Sequence, residues 1–92
     1  MDEPLVQDKL KLLPSQPGVY LMKDGTGRVI YVGKAQSLRS RVRQYFQDGA
    51  YVESPRMRHL MGKIADFDYV ATDNEVEALL LEANLIKRHR PF

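Results

Sequence analysis

Cysteine is absent from this 92-residue chain, and histidine occurs only at His59 and His89. The first absence excludes disulfides and thiolate metal sites and fits a reducing cytoplasm. The second leaves too few imidazoles for a His-based metal cluster. Any bound metal then takes oxygen ligands, which points to a hard cation such as Mg2+ or Mn2+. Long hydrophobic runs are also missing, so no segment reads as a transmembrane span. The N-terminus opens with acids and a proline and lacks a basic region followed by an apolar stretch, so no signal peptide is read there. What remains is 43% hydrophobic, which suits one small globular domain over residues 1–92, long enough for a single core.

Net charge is only +2, but it is segregated along the chain. Residues 28–63 hold eight Lys/Arg against Asp48 and Glu53, whereas residues 64–86 hold six acids and no base. The tail turns basic again with Lys87, Arg88 and Arg90. A basic central third suits a polyanion partner, and solvated helix faces give the same pattern.

Hydrophobic periodicity and turn chemistry predict six or seven elements. Val6, Leu10 and Leu13 repeat at helical spacing over residues 4–13, from Pro4 to Pro14. Residues 18–23 and 28–33 are rich in β-branched and aromatic side chains, and Asp24-Gly25-Thr26-Gly27 between them is turn chemistry, so a hairpin is expected. A two- or four-residue loop gives a register in which Tyr20 faces Tyr31 and Gly18 faces Gly33. An odd loop or a bulge breaks that register. Strand alternation puts both tyrosines and both glycines on one face, with Val19, Leu21, Ile30 and Val32 on the other, expected to be core. Cross-strand aromatic packing explains such a pair; a ligand surface bared by glycine does so too.

Ser37 is positioned to cap a helix with Leu38, Val42, Tyr45 and Phe46 as its stripe, closed by Asp48-Gly49. Ser54-Pro55 opens another, with Met57, Leu60, Met61 and Ile64 on one face. Phe67, Tyr69 and Ala71 alternate as a third strand. Thr72-Asp73-Asn74-Glu75 reads as a capping box starting a last helix that runs to about residue 89. The expected fold is α/β of the α+β type, a small three-stranded, mainly antiparallel sheet flanked by about four helices.

Three chemical signals stand on this frame. The last helix is apolar nearly all round from Val76 to Ile86, which predicts burial, and Glu82 interrupts it without a cation at i±3 or i±4. A carboxylate in that setting needs a distant basic partner, a proton or a metal. Gly33 can take backbone angles closed to other residues, which would let Lys34 swing toward the tyrosines and favour a Tyr31 phenolate. Arg41 and Tyr45 are helical neighbours, but Arg39 and Arg41 lie equally far from the apolar stripe, and either can hold a phosphate or be solvated.

Four segments, Gly18-Val19-Tyr20, Tyr31-Val32-Gly33-Lys34-Ala35, Leu38-x-x-Arg41-x-x-x-Tyr45 and Glu82-Ala83-Asn84-Leu85-Ile86-Lys87, together resemble the GIY-YIG nuclease superfamily, and within it the excision-repair branch. Valine replaces isoleucine in both halves of the name motif, on the face away from the tyrosines. The resemblance implies a metal-dependent DNA endonuclease. Tyr31 would be the general base, Tyr20 its support and Lys34 an aid to the phenol. Arg41 would contact the scissile phosphate with Tyr45 assisting, and Glu82 would bind the metal. Arg39, Arg43, Lys34 and Arg41 would contact DNA. It further implies incision 3′ to a lesion in damaged double-stranded DNA loaded with UvrB, and a monomeric catalytic domain belonging to a longer chain, since full-length members carry further domains and an asparagine just past the equivalent of Phe92. The competing reading is a non-catalytic DNA-binding module with a structural Glu82.

Overall fold

The computed structural model describes residues 6–46 and 55–90, with side chains described for 6–46 and 59–90. Its elements run α1 (Val6–Lys11), β1 (Gly18–Lys23), β2 (Val29–Ala35), α2 (Leu38–Gln44), α3 (Pro55–Lys63), β3 (Asp66–Ala71) and α4 (Glu75–His89). The three strands form one antiparallel sheet in the order β2-β1-β3, so β1 is central. This is the expected class: three strands and four helices. The Asp48-Gly49 closure, the Ser54 cap, Pro4 and Pro91 lie outside the described residues, as does the Met57 side chain.

The hairpin register differs from the simple expectation by two residues. Tyr20 pairs with Gly33 and Met22 with Tyr31, while Lys23 pairs with Val29, so Ile30 is the extra residue of a bulge. The cause lies in the turn. Asp24 Oδ1 accepts from Thr26 N, Thr26 Oγ1 and Arg28 N, Gly27 N–H closes on Asp24 O, and Gly27 sits at φ +87°, where glycine is favoured. The loop therefore extends through Arg28, and the bulge takes up the mismatch. A two-residue shift conserves strand alternation, so Tyr20 and Tyr31 remain on one face. Ile30 leaves the aliphatic face and joins the cluster on the tyrosine side.

Both sheet faces are buried, which corrects the expectation of a single core on the aliphatic face. The larger cluster lies on the tyrosine side, where Leu13, Tyr20, Met22, Ile30, Leu38, Val42 and Phe67 pack together. Val19, Leu21 and Val32 pack on the other side against Ala78, Leu81 and Leu85 of α4. Nor are the two glycines bare positions. A Cβ on Gly33 would collide with the ring of Tyr20, and one on Gly18 with Val70 O and the Leu38 side chain. These glycines admit neighbours of the protein itself.

Long-range polar contacts lock the helices to this sheet. Lys9 Nζ donates to Asp66 Oδ1 at 2.8 Å and to Phe67 O at 2.7 Å, and lies 5.1 Å from the Phe67 ring centroid. Burial opposes ionisation of Asp66, but the bonds from Lys9 and from the backbone outweigh it and hold the carboxyl below its ordinary value. The loop before β1 caps α2 from outside, with Leu38 N donating to Gln16 O and Arg39 N to Pro14 O.

The cap of α4 is displaced from Thr72 to Asn74. Asn74 Oδ1 accepts from Glu77 N at 2.9 Å, and Glu77 Oε2 accepts from Asp73 N at 3.1 Å, a reciprocal box two residues later than the sequence pattern suggested. Burial of α4 is also overturned. Only Ala78 is fully buried, and Val76, Leu79, Leu80 and Ile86 are 67, 51, 63 and 43% exposed. One stripe packs on the sheet and an opposite apolar stripe faces outward.

Glycine substitutions test this packing. Gly33→Ala is expected to cost roughly 1–3 kcal/mol, as overpacking of a full core does. Gly18→Ala, whose clash is partly with backbone, should reach the top of that range or exceed it. Gly25→Ala meets nothing in the exposed turn and should stay within about 0.5 kcal/mol. Urea unfolding of the three variants checks the order.

Candidate active site

Three phenols converge on the tyrosine face. Tyr20 comes from the central strand, Tyr31 from the edge strand β2, and Tyr45 from the C-terminal end of α2, where Tyr45 N bonds Val42 O and Phe46 N bonds Arg43 O in a tightened last turn. Ring centroids are 6.2 Å apart for Tyr20 and Tyr31, 5.5 Å for Tyr20 and Tyr45, and 6.3 Å for Tyr31 and Tyr45. Tyr20 is 1% exposed, whereas Tyr31 and Tyr45 are half-buried. The Tyr20 and Tyr45 hydroxyls share a 3.0 Å hydrogen bond, and Arg41 Nε donates to the Tyr20 hydroxyl at 3.4 Å.

The structure separates the two arginines that periodicity left equivalent. Arg39 turns away and donates from Nε to Leu13 O at 2.9 Å, fastening the preceding loop. Arg41 turns into the phenols, and its NH1 reaches Gln44 Oε1 at 3.5 Å. The bond to Tyr20 strengthens the hold of the Arg41 guanidinium on its proton. Arg43 is exposed on α2.

Electrostatics favour the neutral forms of Tyr31 and Tyr45. Burial pushes Tyr31 above its ordinary value, and Tyr20 adds to the shift; a hydrogen bond with Tyr45 and the charge of Arg41 act against it, and the Glu82 carboxylate raises it further. Tyr45 is raised strongly, first by burial and then by its bond to Tyr20.

Gly33 is not in the left-handed region, and Lys34 keeps the strand alternation, pairing with Val19 on the opposite side of the sheet, where it is exposed. The expected swing toward the phenol does not occur. Instead Lys34 lines an open groove of about 380 Å3 together with Gln36, Ser37, Ser40, Arg41 and Gln44. Sequence reading missed these amides and hydroxyls, because nothing in their spacing marks them.

Glu82 is half-buried on α4. Among the described residues no cation forms an ion pair with it, and no group of three or more His, Cys, Asp or Glu side chains gathers there or elsewhere. A lone carboxylate whose charge reaches a phenol fits a hard cation that keeps most of its shell in water and substrate oxygens.

The fold and its relatives place this arrangement. A family model described as a UvrC-like GIY-YIG domain matches residues 16–92. The chain is 59% identical over 86 residues to UvrABC system protein C of Caldicellulosiruptor saccharolyticus, and 55% identical over 86 residues to that of Acetivibrio thermocellus. Each match covers 94% of this chain and 14% of the relative, so the chain spans about a seventh of the curated relatives' length. The N-terminal GIY-YIG endonuclease domain of UvrC from Thermotoga maritima, solved with its catalytic divalent cation magnesium, matches with a TM-score of 0.76 and 36% identity over 99% of this chain and 96% of that one. A three-stranded antiparallel sheet with four helices and a phenol cluster beside Arg41 is thus the architecture of a GIY-YIG endonuclease domain. Within that class, the chain belongs to the UvrC-like family.

Removing one hydroxyl tests how the cluster is held. Tyr45→Phe is expected to cost about 1 kcal/mol, the net worth of one hydrogen bond, and to leave Arg41 as the partner of the Tyr20 hydroxyl. Chemical denaturation measures the loss; an unchanged midpoint would show that the bond between the Tyr20 and Tyr45 hydroxyls adds nothing net to stability.

Proposed function

We propose that residues 1–92 form one catalytic domain of a longer chain, and that it hydrolyses a DNA phosphodiester 3′ to a lesion during nucleotide excision repair, on damaged double-stranded DNA loaded with UvrB. The observation that carries this reading is the convergence of Arg41 on the phenols, with the Glu82 carboxylate, unpaired among the described residues, close enough to raise the pKa of Tyr31. The relatives are named as parts of the UvrABC system, and a solved one holds magnesium as its catalytic cation. Among the described residues no helix is long and apolar enough to cross a membrane, and the reading places the domain in the cytoplasm as a monomer.

Each side chain has a distinct task. Arg41 has one face on Tyr20 and presents its remaining N–H groups to a phosphate, where they offset charge developing on the equatorial oxygens. Tyr31, once ionised, accepts the proton of an attacking water. Tyr20, immobilised by Tyr45 and by the contact with Gly33, packs against the Tyr31 ring and limits its motion. Arg39 and Arg43 add positive charge along the flank of α2. Glu82 would hold Mg2+ or Mn2+, and such a cation, when bound, supplies the charge that eases ionisation of a nearby phenol or water and stabilises the leaving oxygen. That supply matters here, because the protein's own groups leave Tyr31 protonated at neutral pH.

The test is incision in the full-length protein on UvrB-loaded damaged DNA. Tyr31→Phe and Glu82→Gln are each expected to reduce the 3′ nick by at least roughly a hundredfold, with fold and DNA affinity retained. Nicking by Glu82→Gln at the parental rate would remove that residue from the metal role and favour a non-catalytic DNA-binding module.

A further inference from the structure

We infer that the outward apolar stripe of α4 is an internal docking face, covered in the longer chain by the segment that follows Phe92, so that α4 stands between two layers. The inference rests on the longer-chain part of the proposed function and not on the nuclease chemistry. Among the described residues the large exposed hydrophobics are Leu12, Val70, Val76, Leu79, Leu80 and Ile86. Four of these belong to α4, and Val70 pairs with Val19 on the sheet face against which α4 packs. Apolar residues scattered singly over a surface need no explanation, but a group gathered on one side of a small domain marks a contact surface.

The pattern along α4 is that of a helix with two packing faces. Ala78, Leu81 and Leu85 pack with Val19, Leu21 and Val32 of the sheet. Val76, Leu79, Ala83 and Ile86, all exposed, recur at i, i+3, i+7 and i+10, the spacing of a seam that seats a neighbour along about three turns of helix, and Leu80 widens it. Exposed Glu77, Asn84 and Arg88, at i, i+7 and i+11, form a narrow polar line between the two apolar arcs. A helix apolar on both sides of such a line suits burial on both. Size and connection decide what covers it. The stripe offers only these few side chains, whereas a stable contact between separate chains takes roughly 20–30 residues a side. A tethered segment needs far less, because linkage raises its effective concentration to about the millimolar range. The relatives carry the length for one: each match covers 14% of a curated relative, and the solved Thermotoga maritima relative is the N-terminal domain of its protein, so there the rest of the protein follows this domain. Arg90 takes the left-handed conformation at φ 45° with its N–H on Ile86 O, which ends the helix and turns the chain off its axis beside the stripe. The covering segment lays an apolar face on Leu79 and Leu80, and by clamping α4 from outside it limits the movement of the helix that carries Glu82.

Hydroxyl-radical footprinting of the full-length protein, alone in dilute solution and read by mass spectrometry, tests the inference. Leu12 and Leu80 are the same residue type with similar exposure in this domain, so an uncovered α4 oxidises both at similar rates. A covered one is expected to slow Leu80 and Leu79 at least about fivefold relative to Leu12, as the dry core of an interface does. A photoreactive benzoylphenylalanine at position 80 of the same protein identifies the cover, and the expected crosslink joins it to a peptide beyond Phe92 within one chain. Equal oxidation of Leu80 and Leu12, a crosslink that joins two copies at doubled mass, or protection that appears only when UvrB is added would each overturn the inference. The mass of the native polypeptide tests the longer chain by itself, and the incision assay of Glu82→Gln and Tyr31→Phe tests the chemistry, so failure of either is distinguishable from failure of this inference.

Discussion

The ring of Tyr20 laid across Gly33 is the contact on which the rest of the site depends. It requires a position on β2 with no side chain, and it leaves the phenol 1% exposed in the middle of the sheet. From there the Tyr20 hydroxyl meets both Tyr45 and Arg41. A single buried residue therefore sets the distance between the edge strand bearing Tyr31 and the helix bearing the arginine. Because that residue is locked by packing as well as by hydrogen bonds, the groups around it are preorganised in the way charge-stabilising sites need.

Two faces of one thin sheet contribute different chemistry. The tyrosine face supplies three phenols and a guanidinium, held by the larger core. The opposite face carries α4, whose contacts with β1 and β2 bring Glu82 into electrostatic range of Tyr31. The edge position of β2 makes this possible, since Tyr31 is only half-buried there. With one carboxylate and no other anionic ligand cluster among the described residues, the arrangement suits a cation that arrives largely hydrated and with the substrate. The outward stripe of Val76, Leu79, Leu80 and Ile86 shows that α4 is apolar on two sides, of which the sheet covers one.

Much of the fold was legible in the residues themselves. Period-2 alternation placed Tyr20 and Tyr31 on one face and Phe67 and Tyr69 on β3, and Ser37 did cap α2, accepting from Ser40 N. The failures were local. The Asp24 side chain organises a longer turn, which moved the register by two and expelled Ile30 to the other face. Asn74 took the cap from Thr72, and α4 kept half of its apolar surface in the open. The first two turn on side-chain hydrogen bonds within four residues, which hydrophobic periodicity does not register, and the third on a sheet that covers only one side of the helix.

The sequence by itself determined the element order, the shared face of the tyrosines, the isolation of Glu82 from helical cations and the motif that marks the family, because these follow from backbone periodicity and residue type. Tertiary structure decided which arginine enters the site, which face Lys34 takes, and what fills the space beside Gly18 and Gly33. Arg39 and Arg41 have the same composition and nearly the same helical phase. Only the positions of Leu13 O and the Tyr20 hydroxyl, set by packing of separate segments, make one a fastening of the fold and the other a member of the phenol cluster.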